Sequence, residues 1–278
     1  MIATRVRRLL TVALSTAFAL LCAAGPAAGA GPAEMQMDLA EITNSWPRDG
    51  AAQLTVENEE LHIRNEPRKQ FTLWCPLKTE GGFTLSFDCL VPESRTKILL
   101  LFCAQPNDGS PITEWQSEAR YDDYRTKMQT YTLGINRGKH SGTREFSPWE
   151  LETGRYDTAN LRRLGLLKDR LDELAVARRA QLKALKAKHG RAAWWQTAAW
   201  QEWNTFCTLA SGVESVHGLN KWIRHTIRVR PPYIAYEVDG KLVFEVLDHH
   251  PAPLAAGYIG FRNMSRGKSF RLRNIVIR

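Results

Sequence analysis

The stretch GYIGFRNMSRGKSFRLRNIVIR, residues 257–278, decides how this chain folds. Two β-type runs, residues 257–263 and 270–277, flank a polar turn at residues 265–268. In the second run Phe270, Leu272, Ile275 and Ile277 are apolar, and Arg271, Arg273 and Arg278 punctuate them. Period-two alternation closed by a Gly-containing turn predicts a hairpin. A last strand laid into an antiparallel sheet ties the chain end down.

Upstream of this stretch the same pattern repeats. LTVENEELHIR predicts a hairpin of Leu54–Val56 against Leu61–Arg64, and FTLWCPL follows. In GFTLSFDCLV, Phe83, Leu85, Phe87, Cys89 and Val91 alternate with mostly polar neighbours. ILLLFCA is continuously apolar, which predicts a central strand buried on both faces. MQTYTLGIN is next, and IRHTIRVR, YIAYEV and LVFEVLD complete the series. Asp239-Gly240, inside VDGK, is the strongest local hairpin signal in the chain. Many short strands with turn residues between them predict a mainly β chain, a sandwich or jelly roll.

One segment breaks the pattern. From about residue 158 to 189, Leu161, Leu164, Leu167, Leu171, Leu174, Leu182 and Leu185 recur at helical spacing. Lys183, Lys186, Lys188 and His189 crowd the end and Gly190 follows, which is helix-stop chemistry. A second helix, about 192–206, carries Trp194, Trp195, Trp200 and Trp203. The two predict an αα-hairpin inserted in the β domain at about 158–206. It holds most of the chain's cationic surplus, and an apolar stripe including Trp195, Trp203 and Phe206 offers a route to self-association.

The chain begins with Arg5, Arg7 and Arg8, an apolar run from Leu9 to Ala24, and Ala28-Gly29-Ala30. That order predicts a secretory signal over residues 1–30 and a secreted or periplasmic protein. A lipoprotein reading at Cys22 meets Leu21 where a small residue is wanted. No second apolar run is long enough to predict a transmembrane segment. Residues 31–278 then form one jelly-roll domain with its helical insert. The formal charge of +9 stays basic once the three leader arginines are set aside, but export argues against nucleic acid as the partner. Cys75, Cys89 and Cys103 lie in apolar runs and read as small buried residues, whereas pairing among these and Cys207 stays open. Their spacing predicts no metal site, and nothing implies a cofactor.

FTLWCP (71–76), FTLSFDCLVP (83–92), YDDYRTKMQTYTLGINRG (121–138), NLRRLG (160–165) and the ending YEVDGKLVFEVLD…GYIGFRNM together resemble the YesU-like family, a domain of unknown function. The resemblance spans about residues 59–278, and the helical hairpin departs from it. It implies a concanavalin A-like two-sheet antiparallel jelly roll and a role in bacterial polysaccharide use, often of pectin-type glycans. It implies no particular reaction.

Hydrolysis on such folds uses paired carboxylates about 5 Å apart on one strand face. The nearest match, Glu237-Val-Asp239, has Leu242 where a further acid is needed. A polysaccharide lyase instead needs a base or acid, commonly Tyr or His, with cations and amides around a uronate. Residues 121–140 supply these types: Tyr131 and His140 as candidate acid or base, with Arg125, Lys127 and Gln129 around the carboxylate. Lys127, Gln129 and Tyr131 share one strand face. The alternative is that they form an ordinary solvated face. Candidate polysaccharide or oligosaccharide contacts are Trp115, Tyr121, Tyr124 and Arg137 in loop-like segments, and Arg262 and Asn263 after the Gly-Phe-Arg strand. Asn160 and Arg162 match the family's Asn-Leu-Arg, and Asn160 equally suits a helix N-cap. A lyase or other glycoside-processing enzyme, a non-catalytic glycan-binding module and an assembly protein all remain open.

Overall fold

In the computed structural model the described residues are 34–93, 96–117, 119, 123–124, 127–136, 149–153, 168–189, 198, 208–212, 218–248 and 253–278. The predicted signal therefore lies outside them. The chain divides into two compact units, Met35–Ile277 and Met1–Glu34 with Arg278. In the second, the described residues Glu34 and Arg278 pair at 3.0 Å.

The larger unit has a short strand β1 (Met35–Gln36), a helix α1 (Leu39–Ser45) and three strands, β2 (Arg48–Gly50), β3 (Ala52–Glu57) and β4 (Glu60–Asn65). Then come β5 (Phe71–Thr79), β6 (Phe83–Leu90), β7 (Ile98–Pro106), β8 (Met128–Asn136) and β9 (Trp149–Thr153). A helix α2 (Lys168–His189) precedes β10 (Thr208–Gly212), β11 (Trp222–Arg230), β12 (Tyr233–Val238), β13 (Lys241–Leu247), β14 (Gly257–Asn263) and β15 (Ser269–Ile277).

Among the described residues the strands form two antiparallel sheets. The eight-stranded sheet runs β13-β12-β11-β6-β15-β4-β3, with β1 also on β15, and the seven-stranded sheet runs β10-β9-β8-β7-β14-β5-β2. Alternation sends one set of side chains from each sheet into a shared core. Leu85, Phe87, Ile227, Phe270 and Leu272 meet Leu73, Leu100, Phe102, Leu133 and Phe261 there. Full burial of one such side chain contributes about 1.5–3 kcal/mol. His225 lies in this core beside Phe87, its Nδ1 2.7 Å from the Tyr236 hydroxyl, so the polar pair is internally bonded.

The predicted closing hairpin is corrected. β14 pairs with β7 and β5, whereas β15 pairs with β6 and β4, so residues 264–268 cross from one sheet to the other. Alternation is identical in both arrangements, because each strand turns one face to the same core. The corner is fixed by two asparagines. Asn263 Nδ2 donates to the Lys268 carbonyl at 2.9 Å, and its Oδ1 accepts from the Ser265 amide at 3.0 Å. Asn65 Nδ2 donates to the Asn263 carbonyl at 2.8 Å.

The Asp239-Gly240 turn is as expected: both residues have positive φ, 49° and 75°, as a type I′ turn requires, and Val238 pairs with Lys241. β7 is buried on both faces. Ile98, Leu100 and Phe102 face the shared core, and Leu101 and Ala104 join a second cluster on the far side of the sheet. β1, β2, β9, β10 and α1 had no counterpart in the strand and helix predictions, because two to seven residues show too little periodicity. Asp38 caps α1, accepting from the Ala40 amide at 2.8 Å.

α2 ends at His189, where the sequence places the stop. Apart from Ala198, the second arm expected at about 192–206 is outside the described residues, as are the first arm's leading residues, 158–167.

Candidate functional site

The outward face of the eight-stranded sheet gathers arginines around single carboxylates. On β11, Ile223, His225, Ile227 and Val229 turn inward, so Trp222, Arg224, Thr226 and Arg228 turn outward. The same parity puts Ser86, Asp88 and Leu90 of β6, Arg271 and Arg273 of β15, and Glu60, His62 and Arg64 of β4 on that face. Register aligns Trp222 with Leu90, Leu90 with Arg271, and Arg271 with His62. The adjacent row aligns Arg224, Asp88 and Arg273.

Asp88 sits between two cations. Arg224 Nη1 donates to its Oδ1 at 3.0 Å and Arg273 Nε to its Oδ2 at 3.4 Å. Asn274 Nδ2 donates to the same Oδ2 at 2.7 Å. A bulge makes this convergence possible: register breaks between Arg273 and Val276, and Asn274 takes a left-handed φ of 50°. Without it, two consecutive side chains would leave opposite faces of the strand. Glu60 takes one arginine, Arg271 Nη1 at 3.1 Å, with His62 Nε2 3.3 Å away. The Arg273 guanidinium lies 4.1 Å from the centroid of the Trp222 ring.

The carboxylates are the better-buried partners. Asp88 and Glu60 side chains are 13% and 17% exposed, against 38%, 40% and 37% for Arg224, Arg271 and Arg273. Exposed pairs of this kind contribute about 0–1 kcal/mol each, so they add little to stability. Three arginines against two acids leave a surplus of positive charge. Each guanidinium has five N–H donors in a fixed fork, most of them uncommitted here. Bidentate capture of a carboxylate or sulfate is the chemistry such forks perform.

The residues nominated from the sequence fall elsewhere. Lys127, Gln129 and Tyr131 do share a parity, but it is the parity of the shared core. Tyr131 packs on Phe102 in that core, and its hydroxyl donates to Asp248 Oδ2 at 2.5 Å and accepts the Leu254 amide at 3.1 Å. Lys127 is exposed and pairs with Asp123 at 3.0 Å; Gln129 is half-buried. Tyr121, Arg125, Arg137, His140, Asn160 and Arg162 lie outside the described residues.

Tyr124, Trp115 and Arg262 do converge, on the far face of the seven-stranded sheet, but as a closed network. Register aligns Asp49 of β2 with Thr72 of β5, and Thr72 with Arg262 of β14. Arg262 is fully buried and donates to Thr72 Oγ1 at 3.0 Å, Gln70 Oε1 at 2.6 Å and the Ala119 carbonyl at 2.6 Å. Its guanidinium sits 4.3 Å from the Tyr124 ring centroid. The Tyr124 hydroxyl donates to Asp49, which also accepts from the Ser117 amide (3.1 Å), the Ser117 hydroxyl (2.5 Å) and the Ala119 amide (3.0 Å). Burial pushes the Tyr124 phenol far above its usual range; Arg262 opposes the shift and Asp49 adds to it. Trp115 and Tyr124, expected as open sugar platforms, are buried against Trp74. Trp74 is fully buried in this second cluster. Asn263 is buried at the corner between sheets.

Trp222 is half-buried on the outward face. Arg271 and Arg273 were legible as outward residues of the closing strand, but their partners Asp88, Glu60 and Arg224 come from strands far away in sequence. Burial raises the thiols of Cys75 to about 11 and Cys103 to about 12, and Cys89 still higher, so these cysteines are inert. Among the described residues no three His, Cys, Asp or Glu gather where they would hold a metal ion. Among them too, no helix is long and apolar enough to cross a membrane.

No protein-family model matches the chain, and no curated protein matches it in sequence. In structure it is similar to a protein of unknown function with a galectin-like fold from Bacillus subtilis, with a TM-score of 0.61 at 16% identity over 86% of this chain and 90% of that one. The fold is galectin-like. It is also similar, at a TM-score of 0.43 and 10% identity, to a carbohydrate binding module from Bacillus subtilis, over 83% of this chain and 92% of that one. The Emp46p carbohydrate recognition domain gives 0.48 at 10% identity, over 87% and 91%. At these identities the likeness is one of fold.

Proposed function

We propose that this protein binds an acidic polysaccharide on the outward face of the eight-stranded sheet. The observation that carries the reading is the row Arg224–Asp88–Arg273, with Arg271 and Trp222 in the row beside it. A uronate carboxylate or a sugar sulfate seats on the outward N–H groups of two arginines. The apolar face of a sugar ring lies on the remaining indole surface, since glycan sites combine an aromatic wall with a few placed polar groups. On this reading residues 1–30 direct export and the ligand is met outside the cytoplasm. The YesU-like resemblance, with its link to pectin-type glycans, belongs to the same proposal. Binding has more support than lyase chemistry, because the Tyr131 hydroxyl is turned into the shared core against Asp248.

Gel retardation of the mature protein in polygalacturonate, with a neutral glucan as control, tests the reading. Retardation in the acidic gel alone is expected, with the double variant R271A/R273A losing at least about tenfold in affinity, roughly 1.4 kcal/mol. Equal mobility in both gels, or retardation unchanged in the variant, would overturn it. Appearance of unsaturated product by ultraviolet absorbance would return the protein to the lyases.

A further inference from the structure

The most uncompensated charge among the described residues is on α2. From Leu174 to Gln201 the sequence holds no Asp or Glu, while Arg178, Arg179, Lys183, Lys186 and Lys188 fall within the helix. Arg179, Lys183 and Lys186 stand at i, i+4 and i+7, and so share one face. All three are exposed, whereas Ala177, Gln181 and Leu185 on the opposite side are half-buried, as is Leu182 at the edge of the row. Among the described residues none of the three cations has an ion-pair or hydrogen-bond partner.

Helix stability does not account for this row. The helix dipole favours cations only in the last turn, which covers Lys186 and Lys188 but neither Arg179 nor Lys183. Like charges at i and i+4 are destabilising, so Arg179 and Lys183 repel each other. A membrane surface is a poor match as well. From residue 177 to 188 the exposed positions are cations and alanines, and among the described side chains of the helix Val176 alone adds a large exposed apolar group, far less than the apolar face that interfacial helices require.

We infer that this face of α2 is a docking surface for a polyanionic chain, and that it provides a second contact for the acidic polysaccharide, separate from the arginine rows of the sheet. The inference takes its ligand class from the proposed function. Three cations at successive helical steps span about 10 Å along the axis, which suits an extended chain bearing repeated charges better than a single anion. Attraction of this kind is screened by salt over about 8–10 Å.

The test is retention of the whole mature protein on immobilised polygalacturonate and on dextran sulfate, eluted with salt. The variants are R179E/K183E/K186E, a milder R179Q/K183Q/K186Q, and K69E/K78E/K241E, which makes the same change in net charge at scattered exposed positions. Both helix variants are expected to elute at much lower salt and bind about tenfold more weakly, with the scattered variant close to wild type. The same loss in the scattered variant, or wild-type elution of both helix variants, would overturn the inference. So would capture of the wild type by phosphatidylglycerol vesicles with no retention on either polyanion. If R271A/R273A elutes as wild type while the helix variants do not, the sheet site fails and the helix surface stands.

Discussion

Arg273 and Asn274 are neighbours in sequence, yet both donate to Oδ2 of Asp88, at 3.4 and 2.7 Å. The left-handed backbone at Asn274 is what sends two consecutive side chains to one carboxylate. A non-Gly residue held there costs on the order of 1 kcal/mol or more, and asparagine tolerates it best because its short side chain bonds locally. The bulge is thus a built feature of the outward face.

Replacing Asn274 separates its two roles. Asn274→Ala removes the bond to Asp88 and leaves a Cβ in the left-handed region, so a loss of about 1–2 kcal/mol is expected in urea unfolding. Asn274→Gly keeps the backbone and loses only the bond, so it should cost less than Asn274→Ala. The opposite order would show that the backbone is not held as described.

Gly260 is required by Trp74. The two are register partners on β14 and β5, and a Cβ at position 260 would lie 2.6 Å from indole atoms of Trp74. Gly260→Ala is expected to destabilise by about 1–3 kcal/mol, as overpacking does. In a double-mutant cycle, Trp74→Leu should relieve part of that loss. Strict additivity would contradict the contact.

Asp49 fastens the segment around Ser117 and Ala119 to the seven-stranded sheet. Its carboxylate takes four donors and is 2% exposed. Asp49→Asn offers one oxygen where two accepted, and places an NH₂ against N–H and O–H groups. A loss of about 2–3 kcal/mol is expected, together with faster proteolysis near residues 115–119. Unchanged cleavage would show that other contacts hold the segment.

The buried thiols carry an alkaline signature. Burial raises Cys75 to about 11, above the unfolded thiol's value of about 8.5. A raised folded pKa contributes stability that is complete below the unfolded value and is lost as pH rises through the folded one. Stability should therefore fall between about pH 8.5 and 11, and Cys75→Ala should flatten part of that slope. Maleimide at pH 8 should leave Cys75, Cys89 and Cys103 unlabelled in the native protein and label them in urea, read site by site in a mass spectrometer.

The fold was legible wherever a strand was long enough to alternate. β6, β11 and β12 each place their apolar set on the core face by parity alone, the unbroken apolar run of β7 marked it as buried on both faces, and Asp239-Gly240 declared its own turn. Which sheet a strand joins was not legible, as β14 and β15 show: the same alternation serves a hairpin or a crossing, and the choice rests on Asn65, two hundred residues away. The site was legible only as halves. Arg271 and Arg273 read as outward, but nothing local says that Asp88 will stand between Arg273 and Arg224. Arg262 and Tyr124 were read as glycan contacts, and in the structure they form an internal clamp on the far sheet. Tyr131 was misread as outward because an amphipathic tyrosine suits either face. The partners that decide its side, Asp248 and the Leu254 amide, come from a remote loop.

The central claim is that an acidic glycan seats on the arginine rows of the eight-stranded sheet. Amide chemical shifts followed by NMR during titration with a galacturonate oligomer test it most directly. The account predicts the largest shifts at residues 60–62, 88–90, 222–224 and 271–274. Shifts confined to the far face of the seven-stranded sheet, around Trp74 and Tyr258, or no shifts at millimolar oligomer, would contradict it.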